Sequence, residues 1–147
     1  MISYECMTNA RVSQVAELEK VCFYTPWSEN AIAGELVNPL SLWIVALVND
    51  KVVGYVGSQS VLGEADMMNL AVNEKYRRQG IGRCLVEILI NRLKENAVKQ
   101  LTLEVRKSNV SAISLYSALG FVQVGCRPNY YANPKEDALI LRKEWEA

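Results

Sequence analysis

The spacing of apolar residues switches between alternation and helical recurrence along the chain, and each switch marks an element. Residues 2–7 alternate and predict a short first strand. Val12, Val15, Ala16, Glu19 and Cys22 then recur on one helical face, which predicts a helix over 10–22 with Thr8-Asn9 at its N-cap. Thr25-Pro26-Trp27-Ser28 interrupts that pattern, and Ser28 can cap a second helix that ends before Asn38-Pro39. Residues 41–48 and 52–60 are rich in Val, Ile, Trp and Tyr and are joined by Asn49-Asp50, so they read as an antiparallel hairpin. After a turn at Gly63, residues 65–72 continue as a third long strand. From Ile81 to Glu95 the residues Leu85, Ile88, Leu89 and Leu93 form the buried stripe of a helix. Strict alternation over 100–105 gives Leu101, Leu103 and Val105 to one face and Thr102, Glu104 and Arg106 to the other. Ser108 or Asn109 caps a short helix carrying Ala112, Leu115, Tyr116 and Leu119, closed by Gly120. Residues 121–127 and 138–141 are the last strands, with a loop between them that holds Pro128, Asn129, Tyr130, Tyr131 and Pro134.

This order predicts one α/β or α+β domain over 1–147, with a mixed sheet whose first half is antiparallel and helices on its faces. The helix between strands 65–72 and 100–105 makes that pair parallel through a right-handed crossover, so a ligand is expected at the carboxyl ends of those two strands. Sixteen bases balance sixteen acids, which argues against a nucleic-acid partner. No basic and apolar leader opens the chain and no apolar run reaches about 18 residues, so a soluble cytoplasmic protein with no membrane partner is expected. The four cysteines lack CxxC spacing and read as small hydrophobes in a reducing compartment, with no metal expected. The absence of histidine excludes a Ser-His or Cys-His mechanism and leaves proton transfer to Glu, Asp, Tyr, Lys, Cys or water.

One stretch carries candidate chemistry. Asn69-Leu70-Ala71-Val72 leads into Arg77-Arg78-Gln79-Gly80-Ile81-Gly82-Arg83, a strand, a turn and a helix start. Glycines at 80 and 82 leave the backbone open to an approaching ligand, and the unpaired N–H groups and positive dipole end of the following helix favour an anion. Arg77, Arg78 and Arg83 add to that sign, and a pyrophosphate would use several such donors at once. The alternative is a tight turn with no ligand. The spacing matches neither GxxxxGK[ST] nor GxGxxG.

Arg77, Gly80 and Gly82 fit Arg-x-x-Gly-x-Gly, and at this point the chain resembles the GNAT family of N-acetyltransferases. Leu103-Glu104-Val105-Arg106-Lys107-Ser108-Asn109, followed by Ala112-Ile113, Leu115-Tyr116 and Gly120-Phe121, is similar to that family's second signature. More narrowly, Pro26-Trp27-Ser28, Glu104, Asn109, Tyr116 and the run Arg127-Pro128-Asn129-Tyr130-Tyr131 resemble its bacterial ribosomal-protein-alanine branch. The first helix and residues 38–41 match no motif of that branch.

The resemblance implies acetyl-CoA as donor and a protein N-terminal amine as acceptor, the N-terminal alanine of a small-subunit ribosomal protein. It implies that Arg78, Gln79, Gly80, Ile81, Gly82 and Arg83 cradle the pyrophosphate, and that the backbone of Leu70, Ala71 and Val72 pairs with pantetheine and supplies an oxyanion donor. Glu104 would be the general base, against the alternative of an ion pair with Arg106 on the same face. Tyr116 would protonate the leaving thiolate, against the alternative of a core aromatic. Asn109 holds the pantetheine arm or caps a helix. Trp27, Tyr130 and Tyr131 wall the acceptor groove or plug the core. A lysine or small amine as acceptor, and a non-catalytic acyl-CoA-binding module, are the competing functions.

Overall fold

The computed structural model describes residues 1–145. Its elements in order are β1 (Ile2–Cys6), α1 (Val12–Cys22), α2 (Glu29–Glu35), β2 (Ser41–Val48), β3 (Lys51–Val61), β4 (Glu64–Val72), α3 (Ile81–Glu95), β5 (Gln100–Arg106), α4 (Val110–Ala118), β6 (Val122–Ala132) and β7 (Lys135–Glu144). The strands form one sheet in the order β1-β2-β3-β4-β5-β7-β6, and β4 with β5 is its parallel pair. The mixed sheet with a single parallel crossover is the one the alternation and helix spacing anticipated.

Helices cover both faces, and the strands are patterned accordingly. Along β2, Trp43, Val45 and Leu47 face α1 and α2 with Tyr55, while Ile44 and Ala46 face α3 with Val56. Covered on both sides, β2 reads as a continuous apolar run instead of an alternating one. The α3 stripe of Leu85, Val86, Leu89 and Leu93 packs with Leu101, Leu103 and Val105 of β5, with Tyr116 of α4 and with Leu119 just after it. Only α1 and α2 lie on the opposite face, over β2, β3 and β4, so the polar face of β5 and β7 stays open.

Two expectations need correction. Helix α1 begins at Val12 behind a short 3-10 turn at Asn9–Arg11, and the Thr8 side chain makes no cap hydrogen bond. The expected loop between the last strands is a long hairpin whose strands run through it. Pro128 is tolerated there because β6 is an edge strand, where a missing N–H breaks no ladder. A bulge between Arg127 and Tyr131 absorbs the extra residues, with Asn129 left-handed (φ 54°) and its N–H on Asp137 Oδ1 at 2.9 Å. Of the cysteines, Cys126 is exposed on β6 and Cys6, Cys22 and Cys84 are half-buried; all four are free thiols.

Candidate active site

The site begins where the parallel pair comes apart. β4 and β5 are paired only from Glu64↔Gln100 to Asp66↔Thr102. Beyond that point β4 continues against β3 alone and β5 against β7 alone, so a gap opens toward their carboxyl ends. A bulge sharpens the divergence: Ser58 pairs with Met67 and Gly57 with Asn69, which leaves Met68 unmatched. Past the bulge the Asn73 N–H reaches Val53 O at 2.7 Å. Alternation then turns the amides of Ala71 into β3 and those of Leu70 and Val72 toward the gap.

The glycine turn closes the end of that gap. Asn73 Oδ1 accepts from Lys75 N–H and starts a short 3-10 turn over Glu74–Tyr76. Arg77 folds back, its Nε donating to Val72 O at 3.0 Å, so it braces β4 from the side. Arg78 (φ 65°) and Gly80 (φ 79°) are both left-handed and swing the chain into α3. Gly80 is the N-cap of α3 and has no side chain to offer, so no side-chain cap occupies the donors of the first turn of Ile81, Gly82 and Arg83. A Cβ on Gly82 would meet only ordinary contacts, 3.6 Å from Leu115 Cδ2 and 3.8 Å from Val72 Cγ2. Packing within the chain therefore does not demand a glycine at 82, whereas the backbone of Gly80 does demand one at 80.

On the open face, Glu104 projects from β5 into a cleft of about 460 Å³ that is also lined by Gln59, Asp66, Thr102, Arg127 and Arg142. Arg106 does not pair with it. The Arg106 guanidinium instead bonds Glu136 Oε1 (3.3 Å) and the carbonyls of Asn133 (2.9 Å) and Pro134 (2.8 Å), and lies 4.2 Å from the Tyr131 ring centre. Glu104 is thereby left without a cation among the described residues, and its Oε2 is buried with no hydrogen-bond partner. Its charge is felt around the cleft. Burial first, then Glu104, raises the Asp66 carboxyl. A hydrogen bond to Glu104 is the leading reason that the Tyr130 phenol is raised. Burial, followed by Glu104, pushes Tyr131 up to about 12.

Tyr116 approaches from the other face. Its ring is buried and meets Phe121 edge-on at 5.5 Å, and its hydroxyl ends 3.7 Å from Met67 Sδ. Met67 is the first β4 residue past the last pairing with β5, so the phenol sits where the gap begins. A thioether is a weak acceptor, which leaves the O–H available to a better one. Burial first, and Tyr131 second, raise the Tyr116 phenol, so it holds its proton well above neutral pH. Tyr131 thus lies within electrostatic reach of both Glu104 and Tyr116.

The remaining expected residues divide. Tyr130 and Tyr131 meet edge-on at 5.1 Å and lie near Glu104 without lining the cleft itself. Trp27 is half-buried, packing against Trp43 at 5.5 Å, so it serves the core with part of its ring. Asn109 caps α4, accepting from Ala112 N–H at 3.1 Å. The sequence reading missed Asp66, Arg106 as the clamp on the β6–β7 hairpin, and a buried carboxylate at Glu19. For Glu19 the signal was present, since it is an acid in the middle of the apolar stripe of α1. Among the described residues no group of three or more His, Cys, Asp or Glu is placed to hold a metal, and no helix is long and apolar enough to cross a membrane.

The acetyltransferase (GNAT) family profile matches residues 12–121. The chain belongs to that family. Within GNAT proteins it is 43% identical over 121 residues to the ribosomal protein bS18-alanine N-acetyltransferase of Escherichia coli K12, covering 79% of each chain. It is 40% identical over 128 residues to the enzyme of that name from Salmonella typhimurium LT2, covering 85% of each. The crystal structure of the ribosomal-protein-S18-alanine N-acetyltransferase from E. coli superposes with a TM-score of 0.92 at 35% identity, over 100% of this chain and 96% of that one.

Proposed function

We propose that this GNAT protein transfers acetyl from acetyl-CoA to a protein N-terminal amine, the acceptor being the N-terminal alanine of ribosomal protein bS18. The observation that carries the proposal is Glu104 Oε2, a buried carboxylate oxygen without a partner that faces the cleft beside the strand gap. The bS18-alanine acetyltransferases at 43% and 40% identity support the choice of acceptor.

Acetyl-CoA supplies an acetyl thioester. The turn from Arg78 to Arg83 suits its pyrophosphate through free first-turn N–H groups, and the gap-facing amides of Leu70 and Val72 suit its pantetheine amides. Ala71 holds that edge against β3 instead of donating to it. Asn109, committed to its cap, is placed beside the start of α4 to contribute through a further lone pair. The amine must lose a proton as it attacks, and an α-amino group titrates near ~8 against ~10.4 for a lysine side chain. Glu104 accepts that proton directly or through water. Tyr116 gives its phenol proton to the departing sulfur as the C–S bond breaks, and Trp27, Tyr130 and Tyr131 hold the acceptor's first residues.

Steady-state kinetics with acetyl-CoA and a peptide of the bS18 N-terminus tests this. Glu104→Gln and Tyr116→Phe should each lower kcat by about 10²-fold or more, with acetyl-CoA affinity within about twofold of the parent. Peptides with a blocked N-terminus should be inert. Equal rates on blocked and free peptides would remove the N-terminal assignment, and unchanged kcat in both variants would remove the roles given to Glu104 and Tyr116.

A further inference from the structure

Glu19 is fully buried on the inner face of α1, and no cation pairs with it among the described residues. Three neutral donors converge on it instead. Its Oε2 accepts from the Trp27 N–H at 3.0 Å, and its Oε1 accepts from the Tyr55 hydroxyl at 2.6 Å and from the Asn69 side-chain amide. These donors come from three places: the loop between α1 and α2, the middle of β3, and the β4 residue just past the bulge and just before Leu70. The rings repeat the connection, since Tyr55 stacks on Trp43 at 5.8 Å and Trp43 meets Trp27 at 5.5 Å.

Burying this carboxylate carries a desolvation cost that the three hydrogen bonds offset. What only the carboxylate provides is a fixed relation between the Trp27 loop and the β4 edge. We propose that Glu19 is a positioning residue for acetyl transfer, acting through Trp27 to set the acceptor wall against the donor strand. The proposal rests on Trp27 lining the acceptor groove, as in the function given above.

Glutamine at 19 has nearly the same shape but cannot serve all three donors. With its oxygen toward Tyr55 and Asn69 its NH₂ faces the Trp27 N–H, and in the reverse seating the Asn69 donor loses its acceptor. Glu19→Gln should therefore raise KM for the alanine-starting peptide about tenfold, with KM for acetyl-CoA within about twofold of the parent. Trp27→Ala should raise the same KM, and the double variant should be no worse than the worse single, since Glu19 acts through that ring. A loss that appears only in melting temperature and kcat, or effects on acceptor KM that add in the double variant, would overturn the proposal. Should Glu19→Gln fail to fold, Glu19→Asp keeps the carboxylate but withdraws it by one methylene, and the same non-additive rise in acceptor KM is expected of it. A parent protein that transfers no acetyl to the peptide overturns the function and this inference together. A parent that transfers it, with both Glu19 variants at parental KM, overturns this inference alone.

Discussion

Gly80 and Gly82 stand two residues apart and answer to different demands. Gly80 has φ 79°, a conformation that an L side chain enters only with strain, and nothing lies within 4 Å of where its Cβ would be. Gly82 lies in the first turn of α3 with ordinary space around its Cβ position. Alanine at 82 should stabilise the chain by up to about 1 kcal/mol through helix propensity. Alanine at 80 should cost about 1 kcal/mol or more and loosen the turn that presents the free N–H groups. Thermal melts of Gly82→Ala and Gly80→Ala, each with an acetyl-CoA titration, check this. The expected pattern is a raised midpoint with weakened binding for the first, whose Cβ narrows the proposed pyrophosphate seat, and a lowered midpoint with weakened binding for the second. Equal midpoints for the two would show that the turn does not depend on the left-handed residue. At this scale the sequence was informative but not decisive. The glycine spacing pointed to the turn, while the diversion of Arg106 to Glu136 and two backbone carbonyls, which frees Glu104, depends on a hairpin some 30 residues away.

At the scale of elements, the opening of the sheet is the feature that makes a site. Alternation located β3, β4 and β5, and the crossover rule made β4 and β5 parallel, but no local pattern announces that their pairing stops at Asp66↔Thr102. The stop is linked to the bulge at Met68, whose flank on β3 is Gly57. A Cβ on Gly57 would fall 2.4 Å from Trp43 Cε2, and Trp43 is held between Tyr55 and Trp27. The indole has nowhere to retreat, so Gly57→Ala is an overpacking change costing about 1–3 kcal/mol. Its midpoint should fall by roughly 3–10 °C, and Trp43→Phe in the same chain should recover part of the loss by withdrawing the outer ring. A midpoint unchanged by Gly57→Ala would mean that the close approach of β3 to Trp43 is not maintained in solution. The hairpin of β6 and β7 was hidden for a related reason: Pro128 and Asn129 read as loop residues, and only edge position and a bulge let a strand pass through them.

Taken over the whole molecule, the site proposed above draws Trp27, Glu104, Tyr116, Tyr130 and Tyr131 from the α1–α2 loop, β5, α4 and β6. Family signatures nominated those residues one by one, whereas the network behind Trp27 was not legible, because Glu19 meets Tyr55 and Asn69 across 36 and 50 residues of chain. One consequence of this gathering is a concentration of protected phenols. Burial leads in raising Tyr4 and Tyr131, each to about 12, and in raising Tyr55 and Tyr116, while the bond to Glu104 leads for Tyr130. The Cys84 thiol adds to the shift at Tyr4, and Glu19 to that at Tyr55. In the unfolded chain these phenols ionise near ~10. The folded chain therefore holds their protons more tightly, and the stability this contributes is complete below about pH 10 and is lost as pH rises through the folded values. The thermal midpoint should thus be insensitive to these groups up to about pH 9.5 and fall steeply above about pH 10.5. Tyrosinate absorbance should show the same coupling, with Tyr4, Tyr55, Tyr116 and Tyr131, four of the seven tyrosines, ionising late and in step with unfolding. Ionisation of all seven near pH 10 in a chain that keeps its midpoint would show that the phenols around the strand gap are open to water, and with them the pocket in which Tyr116 is to keep its proton.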